Sequence, residues 1–269
     1  MKNKKNSNKE FSLTDEQFWL LASAFGPTFM IGFKNPYLGW LAEEIKEAQQ
    51  KTIQSLIDAE WAQWDKEDDS LEVDEDLYNL VKACIKPRHS LMVNPTDKNT
   101  QGKFFYFDDR QIVFRIVMNH QNHLQVLDGT KAIKDLLADD LCQTCKIQSH
   151  LSPITISEET LKSLTSLTAD DLEAAKQTLD KDKKDISAKD QQRLLTALTK
   201  TVANSSFVTV FNQDNLKTQH TAGFGILEGE QDLFLLESKE SMGKSMVEIH
   251  GVDARKIMER FEQILPVNL

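Results

Sequence analysis

The chain has 269 residues, of which 40% are hydrophobic and 28% charged, and its formal net charge is −10. This length allows one large domain or two small ones with a substantial core, and no apolar run approaches the roughly 18 to 20 residues needed to cross a bilayer. The excess of acids argues against a general nucleic-acid binder, because affinity for phosphates comes from lysine and arginine. Three cysteines fit a reducing compartment, so we expect a cytoplasmic protein with no membrane insertion.

The N-terminal residues 1–10 are basic and polar and lack the apolar stretch of a secretory signal peptide. We expect a disordered tail there, followed by a single α+β domain over 11–269. The predicted parts of this domain are a helical module (11–94), a first sheet unit (95–148), a helical hairpin (149–206) and a second sheet unit (207–269).

Helix signals dominate the N-terminal module. Thr14 and Gln17 have the spacing of a capping box and begin the first helix. A longer helix is predicted from Tyr37 to Ile57 and a third around Leu77–Cys84, with a short strand at Leu71–Val73 between them. This order is winged-helix-like, and we expect the module to pack against the first sheet.

An acidic stretch from Glu60 to Asp76 contains nine acids and one base, Lys66. We interpret it as a solvated loop, with a docking surface for a basic partner as the alternative. A winged helix would also allow DNA binding, but the candidate recognition helix, Glu43–Lys51, has three glutamates where DNA contacts need basic or amide side chains. A DNA-binding regulator is therefore only an alternative function.

Two stretches of strand signals follow the same order. The first has predicted strands at Ser90–Val93, Phe104–Phe107, Gln111–Met118 and His123–Leu127, and a helix from Thr130. The second has predicted strands at Phe207–Asn212, Thr221–Leu227, Asp232–Glu237 and Met246–Ile249, and a helix after Gly251. Each is an antiparallel meander followed by a helix, so we predict two sheet units with quasi-two-fold internal symmetry.

Between the sheet units, helix signals return over 149–206. Ser157 and Ser187 are predicted helix starts, and the mixed charges of Asp180–Asp185 indicate a solvated turn. We therefore expect an inserted antiparallel helical hairpin that stands between two sheets.

Cys142 and Cys145 form a CxxC pair, and His150 lies five residues further on. Structural zinc needs four ligands, and a second ligand pair is missing; a redox pair would begin a helix, whereas this pair follows the end of one. We expect no metal site, no cofactor and no catalytic residue, with a metal-dependent enzyme of unknown type as the remaining alternative.

Two glycine motifs do not form nucleotide sites. Met242–Ser245 ends like a P-loop, but Ser238 occupies the position of the first glycine, and the residues that follow predict a strand. Gly223 and Gly225 lie within a strand pattern, where glycine indicates a bulge or a close backbone approach.

The order of elements and the hydrophobic pattern from Phe11 to Leu265 also form a distinctive layout. The positions are Val73-Asp74, Leu77-x-x-Leu80-Val81, Cys84-x-x-Pro87, Ser90-Leu91 and the closing Gly251-Val-Asp-Ala254. This layout resembles the EspG-like family of type VII (ESX) secretion-associated proteins. The resemblance implies a mixed fold with quasi-two-fold symmetry and a cytosolic chaperone that keeps a secreted helical-hairpin substrate soluble. The chain is rich in Lys, Asn and Asp where better-known members are rich in Ala, Gly and Arg, and no family binding residue carries across.

A chaperone of this kind needs an apolar groove with a polar rim for the apolar tip of its substrate. Two regions are predicted to supply it, and contact with the secretion machinery is a further expectation. The predicted partner-binding residues are Leu161, Leu164, Leu172 and Leu179 on the helical face, and Phe211, Asn215 and Leu216 in and below a polar loop. For the leucines, the alternative is a place in the core of the hairpin.

Overall fold

The computed structural model describes residues 10–26, 31–95, 102–109, 111–141, 152–182, 186–200, 205–214, 217–229, 232–241 and 243–265. Over these ranges the chain is α+β, as predicted from the sequence. The predicted tail up to residue 9 lies outside the described residues, as do Cys142, Cys145, His150, Asn215 and Leu216.

The first half of the chain begins with a strand and contains most of the aromatic residues. Its strands are β1 (Phe11–Thr14), β2 (Ala62–Asp65), β3 (Ser70–Val73), β4 (His89–Pro95), β5 (Lys103–Phe107), β6 (Ile112–Met118) and β7 (Gln121–Leu127). Its helices are α1 (Asp15–Ser23), α2 (Ala42–Asp58), α3 (Glu75–Ile85) and α4 (Gly129–Leu141).

The second half also begins with a strand. Its strands are β8 (Ile154–Ser157), β9 (Ser205–Asp214), β10 (Lys217–Glu228), β11 (Leu233–Ser241) and β12 (Lys244–Val252). Its α-helices are α5 (Glu158–Thr165), α6 (Leu172–Asp182), α7 (Ala188–Lys200) and α8 (Ala254–Ile264), with a short 3₁₀ turn at Ala169–Asp171. None of the described helices in either half is long and apolar enough to span a bilayer.

Local capping explains where several helices begin. The Thr14 hydroxyl accepts a hydrogen bond from the Gln17 amide N–H at 3.1 Å, and the Gln17 side chain accepts one from the Thr14 N–H at 2.9 Å, which confirms the predicted capping box. Ser157 and Ser187 accept the corresponding amide bonds at 3.1 Å each, so the predicted starts of α5 and α7 are also confirmed.

The described strands form one large sheet, whereas the sequence indicated two. Its order is β1-β7-β6-β5-β4-β9-β10-β11-β12-β8, ten strands with every neighbouring pair antiparallel, and β2 and β3 form a separate hairpin. The two predicted meanders join at the centre, where β4 pairs with β9 and Leu91 lies opposite Val210. The four-residue strands β1 and β8, which the sequence did not reveal, close the two edges.

Element order repeats over the whole of each half. The first half runs β1, α1 to α3, β4 to β7 and α4; the second runs β8, α5 to α7, β9 to β12 and α8. The predicted helical hairpin is therefore the counterpart of the N-terminal helical module, and the β2–β3 hairpin is an addition to the first half. The central pair, β4 and β9, is antiparallel, as a two-fold relation between the halves requires. That the two halves superpose stays a prediction. The likeness of the N-terminal module to a winged helix also stays a prediction.

Helices cover both faces of the sheet. On one face, α4 and α8 pack over a core that includes residues of both halves, such as Phe105, Val210 and Phe261. On the opposite face, α1 and α3 pack over the first half, as predicted, and α5 to α7 pack over the second half. The predicted position of the helical hairpin between two sheets is wrong, because the two meanders form a continuous sheet and the helices cover one face of its second half.

Candidate functional site

On the face opposite α4 and α8, the centre of the sheet includes two exposed side chains of the described ranges, Asn94 and Phe207. Strand alternation decides which residues point there: Leu91 and Val208 belong to the core under α4 and α8, so their neighbours face the other way. We term this surface the central strip. Its described residues are Ser90, Met92 and Asn94 of β4, Phe207, Thr209 and Phe211 of β9, and Gly223 and Gly225 of β10.

Strand register places the aromatic and glycine residues of the strip side by side. Phe207 lies opposite Asn94 of β4 and opposite Gly225 of β10. A Cβ atom at Gly225 would lie 3.3 Å from Cε1 of Phe207 and 3.2 Å from Cβ of Leu236. The ring of Phe207 therefore lies against the bare backbone of Gly225, which confirms the close approach predicted for this glycine. β10 also has a bulge, between His220 and Ala222, whereas Gly223 and Gly225 are in regular register with β9.

Phe207 is the exposed apolar residue of the strip. Its relative exposure is 50%, although it lies near the centre of the sheet. Met92 and Phe211 are half-buried against the N-terminal core, and Asn94 is exposed. Covering the exposed half of a phenylalanine contributes about 1 kcal/mol. Along the strip, Met92 and Thr209 lie in the middle, and Phe207 and Asn94 lie at one end. That end presents an exposed aromatic ring next to a polar side chain, which suits binding to another apolar surface.

Helices form the two sides of the strip. α3 packs over β5, β6 and β7, and α7 packs over β10, so β4 and β9 lie between them. Neighbouring strands are about 4.8 Å apart, so β4 and β9 together are roughly 10 Å wide, close to the diameter of one helix. The strip can therefore accept one helix or the end of a helix.

The side formed by α7 is fixed to the sheet by charge. Nε of Arg193 donates to Oδ2 of Asp232 at 3.0 Å, and Arg193 also pairs with Asp190 at 3.4 Å. The hydrogen bond to Asp232 raises the pKa of Arg193, so the guanidinium remains charged. This network holds α7 against the start of β11, and the strip has a firm boundary on that side.

The structure separates the predicted partner-binding residues. Phe211 lies on the central strip. Leu164 and Leu179 have 0% exposure and lie in the core of the second helical layer, with Leu161 and Leu172 half-buried at its margin. α5 covers β12 and β8, beyond α7, so these leucines do not line the strip. Partner contact through Leu161, Leu172 or residues 215–216 stays a prediction.

Sequence reasoning missed Phe207 and Met92 as site residues. The alternation Phe207, Thr209, Phe211 against Val208 and Val210 identifies a strand with apolar residues on both faces. This alternation does not reveal which face of β9 a helix covers, because the cover depends on the placement of α3 and α7. The glycines were the available signal, since both face the strip from β10.

A second concave region lies between α8 and strands β11 and β12, with a volume of about 370 Å³. Its charged residues pair with one another: Nε of Arg260 lies 2.7 Å from Glu237, and Lys256 lies 3.6 Å from Glu259. Nε2 of His250 is 3.7 Å from the carboxylate of Glu237, too long for a hydrogen bond. We interpret this region as an ion-pair network that attaches α8 to the sheet.

The described ranges contain no reactive thiol and no metal site. Cys84 is buried, and burial raises the pKa of its thiol to about 12, which makes it an unreactive thiol. No three His, Cys, Asp or Glu side chains of the described ranges are placed to hold a metal ion. Cys142, Cys145 and His150 lie outside these ranges, so the interpretation of the CxxC pair stays a prediction.

Comparison with known proteins gives a likeness to solved structures. No protein-family profile matches the chain, and no curated protein is similar in sequence. Among solved structures, the chain is similar to the Mycobacterium tuberculosis type VII secretion system chaperone EspG5, which was solved in complex with the PE25–PPE41 dimer. The TM-score is 0.65 over 96% of each chain. The two chains share a fold. Sequence identity is 11%, so the likeness to EspG5 is one of architecture.

Proposed function

We propose that the chain is a chaperone or adaptor that binds a helical secretion substrate of a type VII system and keeps it soluble for export. The observation that supports this most directly is the central strip, with Phe207 half-exposed at one end beside the exposed Asn94. The fold shared with EspG5, a chaperone solved with a protein dimer bound, supports the same assignment. The proposal needs no catalytic residue, metal or nucleotide.

The chemistry of the strip explains how such binding would work. A helical hairpin with apolar side chains at its tip exposes them in water and tends to aggregate. On the strip those side chains would meet the ring of Phe207, with the half-buried Met92 and Phe211 further along. Asn94 and Thr209 would offer hydrogen bonds to the polar ends of the helix. A specific complex of this kind buries about 800 Å² on each partner.

Phe207→Ser tests the proposal, with Met118→Ser as a matched control. Both residues are half-exposed and apolar (50% and 44%), both lie in strands, and Met118 is in β6, outside the strip. The assay is coexpression with helical-hairpin proteins encoded in the same genome for secretion, followed by measurement of Kd and of the soluble fraction of the substrate. We expect Phe207→Ser to weaken binding at least about tenfold and Met118→Ser to leave it unchanged.

Two results would contradict the proposal in different ways. If no helical secretion substrate binds the wild-type protein, the function is wrong. If a substrate binds and Phe207→Ser retains the wild-type affinity, the chaperone function stands but the central strip is not its site.

A further inference from the structure

Two glycines lie on either side of the exposed end of the central strip. Register places Phe207 of β9 opposite Asn94 of β4 and, on its other side, opposite Gly225 of β10. Asn94 in turn lies next to Gly102, the residue just before β5. Both glycines are buried, whereas Phe207 and Asn94 are exposed. The four residues thus form one row across the sheet, with a glycine at each end.

The ring of Phe207 leans toward β10, away from Asn94. A Cβ atom at Gly225 would lie 3.3 Å from Cε1 and 3.5 Å from Cδ1 of this ring. Carbon atoms in contact are ordinarily about 3.5 to 4.0 Å apart, so the ring occupies space that a side chain at position 225 would need. The ring therefore covers the backbone of β10, and half of its surface stays exposed.

The side chain of Asn94 leans the opposite way, toward β5. A Cβ atom at Gly102 would lie 3.0 Å from Oδ1 of Asn94 and 3.2 Å from Cζ of Phe104. Neighbouring side chains on paired strands have Cβ atoms about 4.5 to 5.5 Å apart and usually pack on each other. Here each of the two leans over a glycine on its far side.

The gap between the two side chains lies over the β4–β9 ladder, and we term it the slot. An occupant would meet the ring of Phe207 on one side and the amide of Asn94 on the other. A helix with its side chains is about 10 to 12 Å in diameter, whereas β4 and β9 together are roughly 10 Å wide. A helix on the strip can therefore insert one side chain into the slot but cannot enter it whole.

The composition of the strip decides which side chain fits. None of the described residues of the strip is charged. A charged side chain would lose water in the slot without gaining a partner of opposite charge. A leucine or isoleucine side chain would pack against the ring of Phe207, and the limited width favours an aliphatic side chain over an aromatic ring.

We propose that Gly225 is a positioning residue for substrate binding. It lets the ring of Phe207 lie over β10, and so keeps the slot open for one aliphatic side chain from the tip of the substrate. The inference rests on the proposed function, and it names the feature of the substrate that the strip recognises.

Gly225→Ala should close the slot. The new methyl group would also lie 3.2 Å from Cβ of Leu236, which is buried with 8% exposure. The half-exposed ring of Phe207 is therefore the neighbour that can move, and its open direction is toward Asn94. A ring in that position would occupy the space of the substrate side chain.

The first experiment observes the ring without any partner. 4-Fluorophenylalanine replaces Phe207 in the full chain, and its fluorine NMR signal should move in Gly225→Ala. Gly229→Ala is the matched control and should leave the signal in place: a Cβ atom there would be similarly crowded, 3.3 Å from Cβ of Ala197, but Gly229 follows β10 and is outside the strip. An unmoved signal in Gly225→Ala, or equal shifts in both variants, would overturn the positioning role.

The second experiment uses two synthetic helical hairpins that differ at one tip position, leucine or glutamine, with Kd measured by calorimetry. We expect the leucine hairpin to bind at least about tenfold more tightly, or 1.4 kcal/mol. Gly225→Ala should weaken the leucine hairpin about tenfold, and Gly229→Ala should leave its Kd unchanged. Equal binding of both hairpins, or binding of neither, would overturn the slot.

A double-mutant cycle separates positioning from a general effect on the sheet. If Gly225 acts through the ring, Gly225→Ala should have no further effect on the Kd of the leucine hairpin in the Phe207→Ser background. Equal losses in the wild-type and Phe207→Ser backgrounds would mean that Gly225 acts on the sheet as a whole, which contradicts the inference. Circular dichroism checks that each variant is folded.

These outcomes differ from a failure of the proposed function. If the fluorine and hairpin results are as expected but no coexpressed secretion protein binds, the slot is supported and the chaperone function is wrong. If a secretion protein binds and Gly225→Ala keeps the wild-type Kd for it, the function stands and the slot is overturned.

Discussion

Arg115 is a charged residue in the interior of the N-terminal layer, with 2% exposure. Its Nε donates to Oδ1 of Asn122 at 2.8 Å, and one terminal nitrogen donates to the Gly32 carbonyl at 3.1 Å and the Tyr106 hydroxyl at 3.2 Å. Its guanidinium also lies over three aromatic rings at 5.0 to 5.1 Å, those of Phe18, Phe33 and Phe104. A planar group with several donors satisfies all of these contacts together.

The hydroxyl of Tyr106 depends on this environment. Burial raises the pKa of Tyr106 to about 12, although the charge of Arg115 acts in the opposite direction. Tyr106 therefore stays protonated at physiological pH, and it can accept a hydrogen bond from Arg115 while donating one to Ile31.

We predict that Arg115→Lys lowers the free energy of unfolding by about 2 to 4 kcal/mol. A lysine ammonium cannot reach the carbonyl, hydroxyl and amide oxygens at once, and it cannot stack between the rings. Urea denaturation measures the effect. Arg88→Lys is the control, because Arg88 is exposed and paired with Asp109; its change should be within about 0.5 kcal/mol. Equal effects in the two variants would show that the buried network contributes little.

At the scale of elements, Asp182 at the end of α6 connects this helix to β8 and α5. Its Oδ2 accepts a hydrogen bond from the Ser157 N–H at 2.8 Å, at the junction between edge strand β8 and α5. The side chain of Thr160 is the largest cause of a lowered pKa for Asp182, followed by the Ser157 backbone. Folding therefore favours the charged form of this carboxyl group.

The stability that Asp182 contributes depends on pH. Because the pKa of Asp182 is lower in the folded state, its contribution is present above the ordinary value of 3.8 and is lost as the pH falls through the folded-state pKa. We predict that Asp182→Asn is less stable than wild type at neutral pH and that the gap closes in acid, with solvent exposure keeping it small. Thermal denaturation from neutral pH to about pH 2 measures it. Asp68→Asn should show no such gap, and a gap for Asp182→Asn that stays constant in acid would contradict the prediction.

Elements with local signals were predictable from the sequence. Caps at Thr14, Ser157 and Ser187 specify helix starts through residues three positions apart, and the meander strands show apolar patterns of their own. β1 and β8 were missed because a four-residue edge strand has a short pattern, and its partner is remote in sequence: Phe11 pairs with Leu124, and Ile154 with Ile249.

The candidate site was only partly predictable, for a related reason. Phe211 and the glycines of β10 belong to the strip and could be recognised as strand residues with a special role. The exposure of Phe207 could not, because it results from helices that stop short of β4 and β9. Residues 37–41 were predicted as the start of a helix, whereas α2 begins at Ala42.

For the whole molecule, the central question is whether the halves unfold together. All four tryptophans lie in the first half, at positions 19, 40, 61 and 64. The core under α4 and α8 combines both halves, and β4 and β9 pair along their length. Tryptophan fluorescence therefore reports on the first half, and circular dichroism reports on both.

We predict that Leu179→Ala, in the second half, shifts the fluorescence transition of the first. Leu179 has 0% exposure, and its truncation should cost about 2 to 5 kcal/mol. If the chain unfolds as one unit, fluorescence and circular dichroism should give the same midpoint in urea, lowered equally in the variant. A lower midpoint by circular dichroism with an unchanged fluorescence midpoint would mean that the halves unfold independently.

The strand order also has a consequence for synthesis on the ribosome. β1 is made first but pairs with β7, and the Ser12 to His123 contact alone joins residues 111 positions apart. At about 10 residues per second, β1 waits on the order of 10 s for its neighbour. β4 likewise has no partner on one side until β9 has been synthesised. The strand at the middle of the finished sheet is therefore an unpaired edge strand in the nascent chain. The central seam of the folded sheet, between β4 and β9, is thus the one that stays unpaired longest during translation.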